Sequence, residues 1–238
     1  YIFLMLFIPA VYAGHHVSES ENRGEVSGLS ESEFNVRVFK KLSKDIKLMG
    51  ELKLRNQEDN QFQSLRLGSY YRAGKNFKLG FFYSRESGLL HDSDWERVEE
   101  DGKLYWGWKH TDKRVEQIYT IDGTYRVAVS SHTVFELKNR YSYNSYNHQQ
   151  FLRIRPGVTY FWKKQSLPFM NLFLQHETYH PLSGYTDKPI YEQWIYLGVL
   201  YHLSQTYKLG AFVADKQVHW ESGTVHSFVS GLNLIINY

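Results

Sequence analysis

The chain contains no cysteine, which excludes disulfides, thiolate metal ligands and thiol nucleophiles together. It has no apolar run approaching the ~18 residues of a spanning helix, and its mean hydropathy is negative. A helical membrane protein is therefore excluded. Net charge is small, formally +3, too little to imply a polyanion-binding protein. Nucleic-acid and nucleotide motifs are absent, and no window carries a convincing helical period. What the chain has instead is aromatic residues, 17% of the total with 19 tyrosines. That is high for a water-soluble domain and natural for a β-barrel with interfacial girdles.

The final stretch, TVHSFVSGLNLIINY, carries the clearest signal. Phe228, Ser230, Leu232, Leu234, Ile236 and Tyr238 share one face of a strand, and Val229, Gly231, Asn233, Ile235 and Asn237 share the other. Closing a long alternating strand on an aromatic is the habit of bacterial outer-membrane barrels. At the other end, residues 1–13 (YIFLMLFIPAVYA) read as a truncated signal peptide, with small residues placed for cleavage after Ala13. Residues 14–32 are polar and read as an N-terminal arm or a poor first strand, and 33–238 as the barrel. Export without cysteine points to the Gram-negative outer membrane.

From Glu33 onward the period-2 pattern repeats eleven times, in segments of about ten to fifteen residues, long enough to cross a bilayer at a tilt. One face is apolar throughout and the other carries charges at mid-strand, which suits a polar interior. Short connections fall near Ser43, Gly74, Ser130, Lys164 and Ser204, and longer ones near Glu58, residues 88–113, Ser145, Ser183 and Ser222. Short periplasmic turns and longer external loops give this alternation, with both chain ends periplasmic. An even barrel then needs a twelfth strand, for which 14–29 is the available segment. The expected fold is an all-β, antiparallel, up-and-down transmembrane barrel of about 12 strands (10–12).

The segments EFNVRVFKKLSKDIKLMGELKLRNQEDN, FQSLRLGSYYRAGKNFKLGFFYSRE, FLRIRPGVTYFWKK and IYLGVLYHLSQTYKLGAFV resemble a family of bacterial outer-membrane barrels of unknown function, porin-like in pattern. The resemblance runs over roughly 33–238 and implies fold and location. A weaker likeness is to the narrow twelve-stranded porins for acidic oligosaccharides, which implies an Arg-lined lumen.

Alternation points Arg37, Lys53, Arg55, Arg66, Arg72, Arg126, Lys138, Arg140, Arg153 and Arg155 inward, with Lys47 and Lys78. The acids facing them are Glu51, Asp122, Glu136, Glu177 and Glu192. A surplus of bases favours anions, so the expected function is a narrow porin-like channel for passive diffusion of small anionic solutes. The densest basic patch is Lys138, Arg140, Arg153 and Arg155, which Glu136 alone cannot balance. The alternative is a plugged structural or interaction barrel acting through its loops, its charges paired across strands. Expected partners are outer-membrane lipid, the barrel-assembly machinery through the last strand, and small anionic solutes. Neither nucleic acid nor a cofactor is expected. The loop 86–113, rich in acids and Trp, could fold inward. An outer-membrane lipid hydrolase needs Ser beside His; His226 and Ser227 are adjacent and face opposite ways, so no enzyme is expected. Cleavage after Ala13 would leave Gly14, His15 and His16 at a new N-terminus, a nitrogen set suited to Cu(II), with His16 supplying the imidazole.

Overall fold

The computed structural model describes residues 25–57, 60–89, 95–100, 103–108, 114–164, 167–182, 189–220 and 223–238. In chain order the strands are β1 (Glu25–Lys41), β2 (Ile46–Gln57), β3 (Asn60–Arg72), β4 (Phe77–Ser87), β5 (Trp95–Glu100), β6 (Lys103–Trp108) and β7 (Val115–Ala128). They continue with β8 (Thr133–Asn144), β9 (Gln150–Lys164), β10 (Leu167–Pro181), β11 (Glu192–His202), β12 (Tyr207–Trp220) and β13 (Gly223–Asn237). Eleven of them form a closed barrel in the order β1-β2-β3-β4-β7-β8-β9-β10-β11-β12-β13, while β5 and β6 pair as a separate hairpin within the long β4–β7 connection. Each barrel strand corresponds to one of the eleven alternating segments in the sequence.

The expectation of an even count fails for a topological reason. Neighbouring barrel strands are antiparallel everywhere except at the seam, where β1 pairs with β13 in parallel from Glu25↔Thr224 to Phe39↔Asn237. Eleven meandering strands start and finish running the same way, so the first and last can close only in parallel. Residues 25–32, read from sequence as part of an arm, extend β1 rather than forming a twelfth strand. The two ends of the barrel wall consequently lie at opposite rims, not at one. Parallel pairing is slightly weaker per residue, and main-chain bonds reinforce it at the rim: Tyr238 N–H donates to Phe39 O at 2.8 Å and Lys41 N–H to Tyr238 O at 3.0 Å.

The connections 42–45, 73–76, 129–132 and 203–206 lie at the Tyr238 rim, here called the turn end, where β9 also finishes and β10 starts. Three of them repeat one device. The hydroxyls of Ser43, Ser130 and Ser204 accept main-chain N–H bonds from residues two and three positions on, at 3.0–3.2 Å, closing the turn with the side chain. At the opposite rim, the loop end, β2 and β3 and likewise β12 and β13 are separated by only two residues in the chain, contrary to the expectation of longer loops there.

The outward face is an apolar belt: Leu52, Leu65, Phe81, Ile121, Val158, Leu174, Leu197, Leu209 and Leu232 are all exposed. On β9 the outward run from Leu152 to Trp162 covers about 33 Å along the strand, and a tilt of ~40° projects this to about 25 Å. Tyr71, Phe77, Tyr125, Tyr160, Trp162, Tyr201 and Tyr207 ring the belt at the turn end. Phe169, beside a bulge in β10, packs edge-on against Trp162 and Tyr201. Tyr83 and Tyr119 meet near the loop end at 5.6 Å between centroids.

Candidate functional site: the barrel interior

Inward positions are filled by two kinds of packing. The first is aromatic rings seated against inward-facing glycines. Tyr70 and Phe82 meet edge-to-face at 4.9 Å between centroids, with Phe39 6.4 Å from Tyr70. Phe82 lies where side chains at Gly68 and Gly80 would otherwise stand, since a Cβ at either would come within 2.4–2.5 Å of its ring. On the opposite wall Trp194, Phe212, Ala214 and Val229 form a buried cluster joined by Phe173, Tyr179 and Tyr196. Phe212 occupies the recess left by Gly231, whose Cβ would fall 2.2 Å from the ring. Trp194 and Tyr196 stack in parallel at 5.2 Å.

The second kind of packing is a chain of ion pairs. Asp122 takes Arg140 through two bonds, 2.5 and 3.0 Å, and Lys138 at 2.7 Å. Glu177 takes Arg153 at 2.5 Å and Arg155 at 3.6 Å, and Arg155 also reaches Glu136 at 3.8 Å. Glu136 accepts from Arg126 as well. Glu51 holds Arg37 at 2.5 Å and Arg66 at 3.6 Å, and Arg66 extends to Glu86 at 3.7 Å. Glu33 holds Arg55 and Lys53 at 3.1 and 3.4 Å. Glu31 holds Lys216 at 2.9 Å, reaching past β13 to tie the first strand to β12.

Of the charges expected inside from alternation, Glu51, Asp122, Lys138, Arg140 and Glu177 are buried, and Arg37, Lys53, Arg55, Arg66, Arg153 and Arg155 pair with carboxylates. The expectation that Lys138, Arg140, Arg153 and Arg155 lack counter-charges is corrected. Glu136 is not their sole partner, because Asp122 on β7 and Glu177 on β10 flank them from both sides. Arg72 and Arg126 are exposed at the turn end, where Arg126 joins the network through Glu136, and Glu192 accepts from the Trp194 indole N–H. Four contributors were missed from sequence: Glu31 and Glu33, because β1 begins earlier than its pattern suggested, Glu116 at the start of β7, which accepts from Asn144, and Lys216. The expected copper site at Gly14, His15 and His16 and the signal peptide lie outside the described residues. Among the described residues no group of three or more His, Cys, Asp or Glu could hold a metal ion.

Toward the loop end the interior opens into a cavity of about 220 Å³. Its wall carries Arg55, Arg66, Arg140 and Arg153, with Glu31 and Glu192, against the flat faces of Phe62, Phe151, Tyr179 and Tyr191. Arg55 lies 4.9 Å from the Trp194 ring centroid and Arg153 5.2 Å from that of Tyr179. Such stacking holds guanidinium groups in place while leaving their edges for hydrogen bonding.

No family model matches the chain, and no curated protein matches it. Among solved structures it is similar to one titled "Bacterial polysaccharide outer membrane secretin", with a TM-score of 0.41 and 11% identity over 77% of this chain and 72% of that one. A likeness so distant carries neither fold nor function.

Proposed function

We propose that the protein spans the Gram-negative outer membrane as a non-conducting barrel that acts by binding at its water-facing ends. The single observation that carries this is the burial of the lumen wall. On every barrel strand except β9, at least one inward side chain is under 9% exposed; Asn35, Asp122, Glu177 and Val229 are fully enclosed. A channel open along its length would leave such residues wet. The sequence expectation of an anion-diffusing pore also loses its motive, because the basic residues at mid-height are matched by carboxylates. The apolar belt and its aromatic rings support the membrane location. With the turn end periplasmic, the cavity opens to the outside.

Two measurements test this. The purified barrel in a planar bilayer should show no steady conductance, whereas the variant carrying Phe82→Ala, Tyr70→Ala and Phe212→Ala should conduct. Steady anion current through the unmutated protein would restore the diffusion pore. On intact cells, Tyr146→Cys in the β8–β9 loop should react with an impermeant thiol reagent and Ser130→Cys should not. The reverse pattern would invert the orientation.

A further inference from the structure

The turn-end mouth differs from the rest of the interior in having cations without counter-charges. Strand register places Lys41 directly opposite Lys47 on the first hairpin and Arg72 directly opposite Lys78 on the second. On the β11–β12 hairpin it places His202 opposite Lys208. Like charges facing each other across a strand pair are destabilising, yet two hairpins bring them to the same rim, and the third adds Lys208 beside an imidazole. The hairpins also converge. Lys78 lies within electrostatic reach of Arg126, Lys47 and Arg72 and of one carboxylate, Glu136; Lys47 lies within reach of Lys208, and Lys208 within reach of Arg126.

Acids at this rim do not offset them. Glu136 is taken by Arg126 and Arg155, and Asp45 stands exposed in the β1–β2 turn. Among the described residues, no carboxylate lies within ion-pairing distance of Lys47, Arg72, Lys78 or Lys208. Lys47 donates instead to Asn237 Oδ1 at 3.0 Å and sits 4.4 Å from the Phe39 ring centroid. Lys78 sits 5.2 Å from that of Tyr70. The aromatic layer is thus a floor beneath the cations, shielding them from bulk water on one side and strengthening their field.

We propose that this mouth binds a multivalent oxyanion of the phosphate class. Several flexible ammonium groups with a neighbouring guanidinium, set against aromatic rings, suit a compact, highly charged group. The side chains face the lumen, on the other side of the wall from lipid, so the ligand is a water-borne solute rather than a headgroup. The site is independent of whether the barrel conducts.

The test is calorimetric titration of inorganic pyrophosphate into the intact barrel in uncharged detergent at low salt, each variant first shown to be folded by its heat-modifiable gel mobility. The unmutated protein should bind, with affinity falling steeply as salt rises. Lys78→Met with Lys208→Met should weaken binding at least tenfold, and Arg153→Gln, at the far cavity, should leave it within twofold. A folded barrel that fails to bind pyrophosphate overturns the proposal. So does binding that survives the double lysine change and is lost with Arg153→Gln, since the anion would then occupy the loop-end cavity.

Discussion

Asp122→Leu should destabilise the folded barrel by about 3–5 kcal/mol, the cost of leaving buried charge without its partner. Asp122 is fully enclosed, and two cations converge on its two oxygens, Arg140 in a forked pair and Lys138 beside it. Both cations are themselves buried. With the carboxylate gone, no other acid pairs with either group, and water must enter or the strands must part. The companion experiment separates this from a packing defect. Asp122→Leu combined with Lys138→Met and Arg140→Met removes the whole charge cluster, and apolar replacement of an entire buried cluster is often neutral. Urea unfolding in lipid vesicles, followed by tryptophan fluorescence, should show the triple variant recovering most of the loss. A single variant within ~0.5 kcal/mol of the parent would mean that water already solvates the cluster.

The second large effect concerns two glycines that fail for different reasons. At Gly68 an added Cβ would lie 2.1 Å from the main-chain oxygen of Phe81 and 2.9 Å from the Phe82 Cα. Backbone in a paired strand cannot yield, so Gly68→Ala should cost about 3 kcal/mol or more, at the upper end for overpacking. At Gly231 the obstacles nearest the new Cβ are ring atoms of Phe212, at 2.2–3.0 Å, and a side chain can be exchanged. Gly231→Ala should therefore cost about 1–3 kcal/mol and be largely rescued by Phe212→Leu. Phe82→Leu should not rescue Gly68→Ala. Equal rescue at both sites, read from unfolding midpoints, would refute the backbone-clash account of Gly68.

The barrel was legible because its wall obeys one rule: successive residues face alternately outward and into the lumen. That rule placed Arg37, Glu51, Asp122 and Glu177 on the correct face from alternation alone. Pairing was not legible, because counter-ions come from neighbouring strands whose register the sequence does not state. Asp122 serves Lys138 and Arg140 sixteen and eighteen positions away. Parity was misjudged because the eleven legible segments were raised to twelve on the even-count rule; the early part of β1 (EVSGLSES), too rich in Ser and Gly to look like strand, lengthens β1 instead and is held by β13. The filled lumen had a signal that went unread. Leu-Gly recurs at Leu67-Gly68, Leu79-Gly80, Leu197-Gly198 and Leu209-Gly210, each time setting a glycine on the inner face. The like-charge pairs at the turn end could also have been found, by folding each hairpin about its turn.

The parallel seam limits how this chain could be re-threaded. In an even-stranded barrel the first and last strands end at the same rim, so a short peptide can join them and new ends can be cut elsewhere. Here the start of β1 and the finish of β13 are separated by the height of the wall, about 45 Å along the strand from the Glu25 level to the Phe39 level. A tether would need about 13 extended residues. It would also have to run through an interior already packed with side chains or along the apolar outer face. Permutants that join the start of β1 to the finish of β13 with a linker much shorter than this should therefore fail to fold.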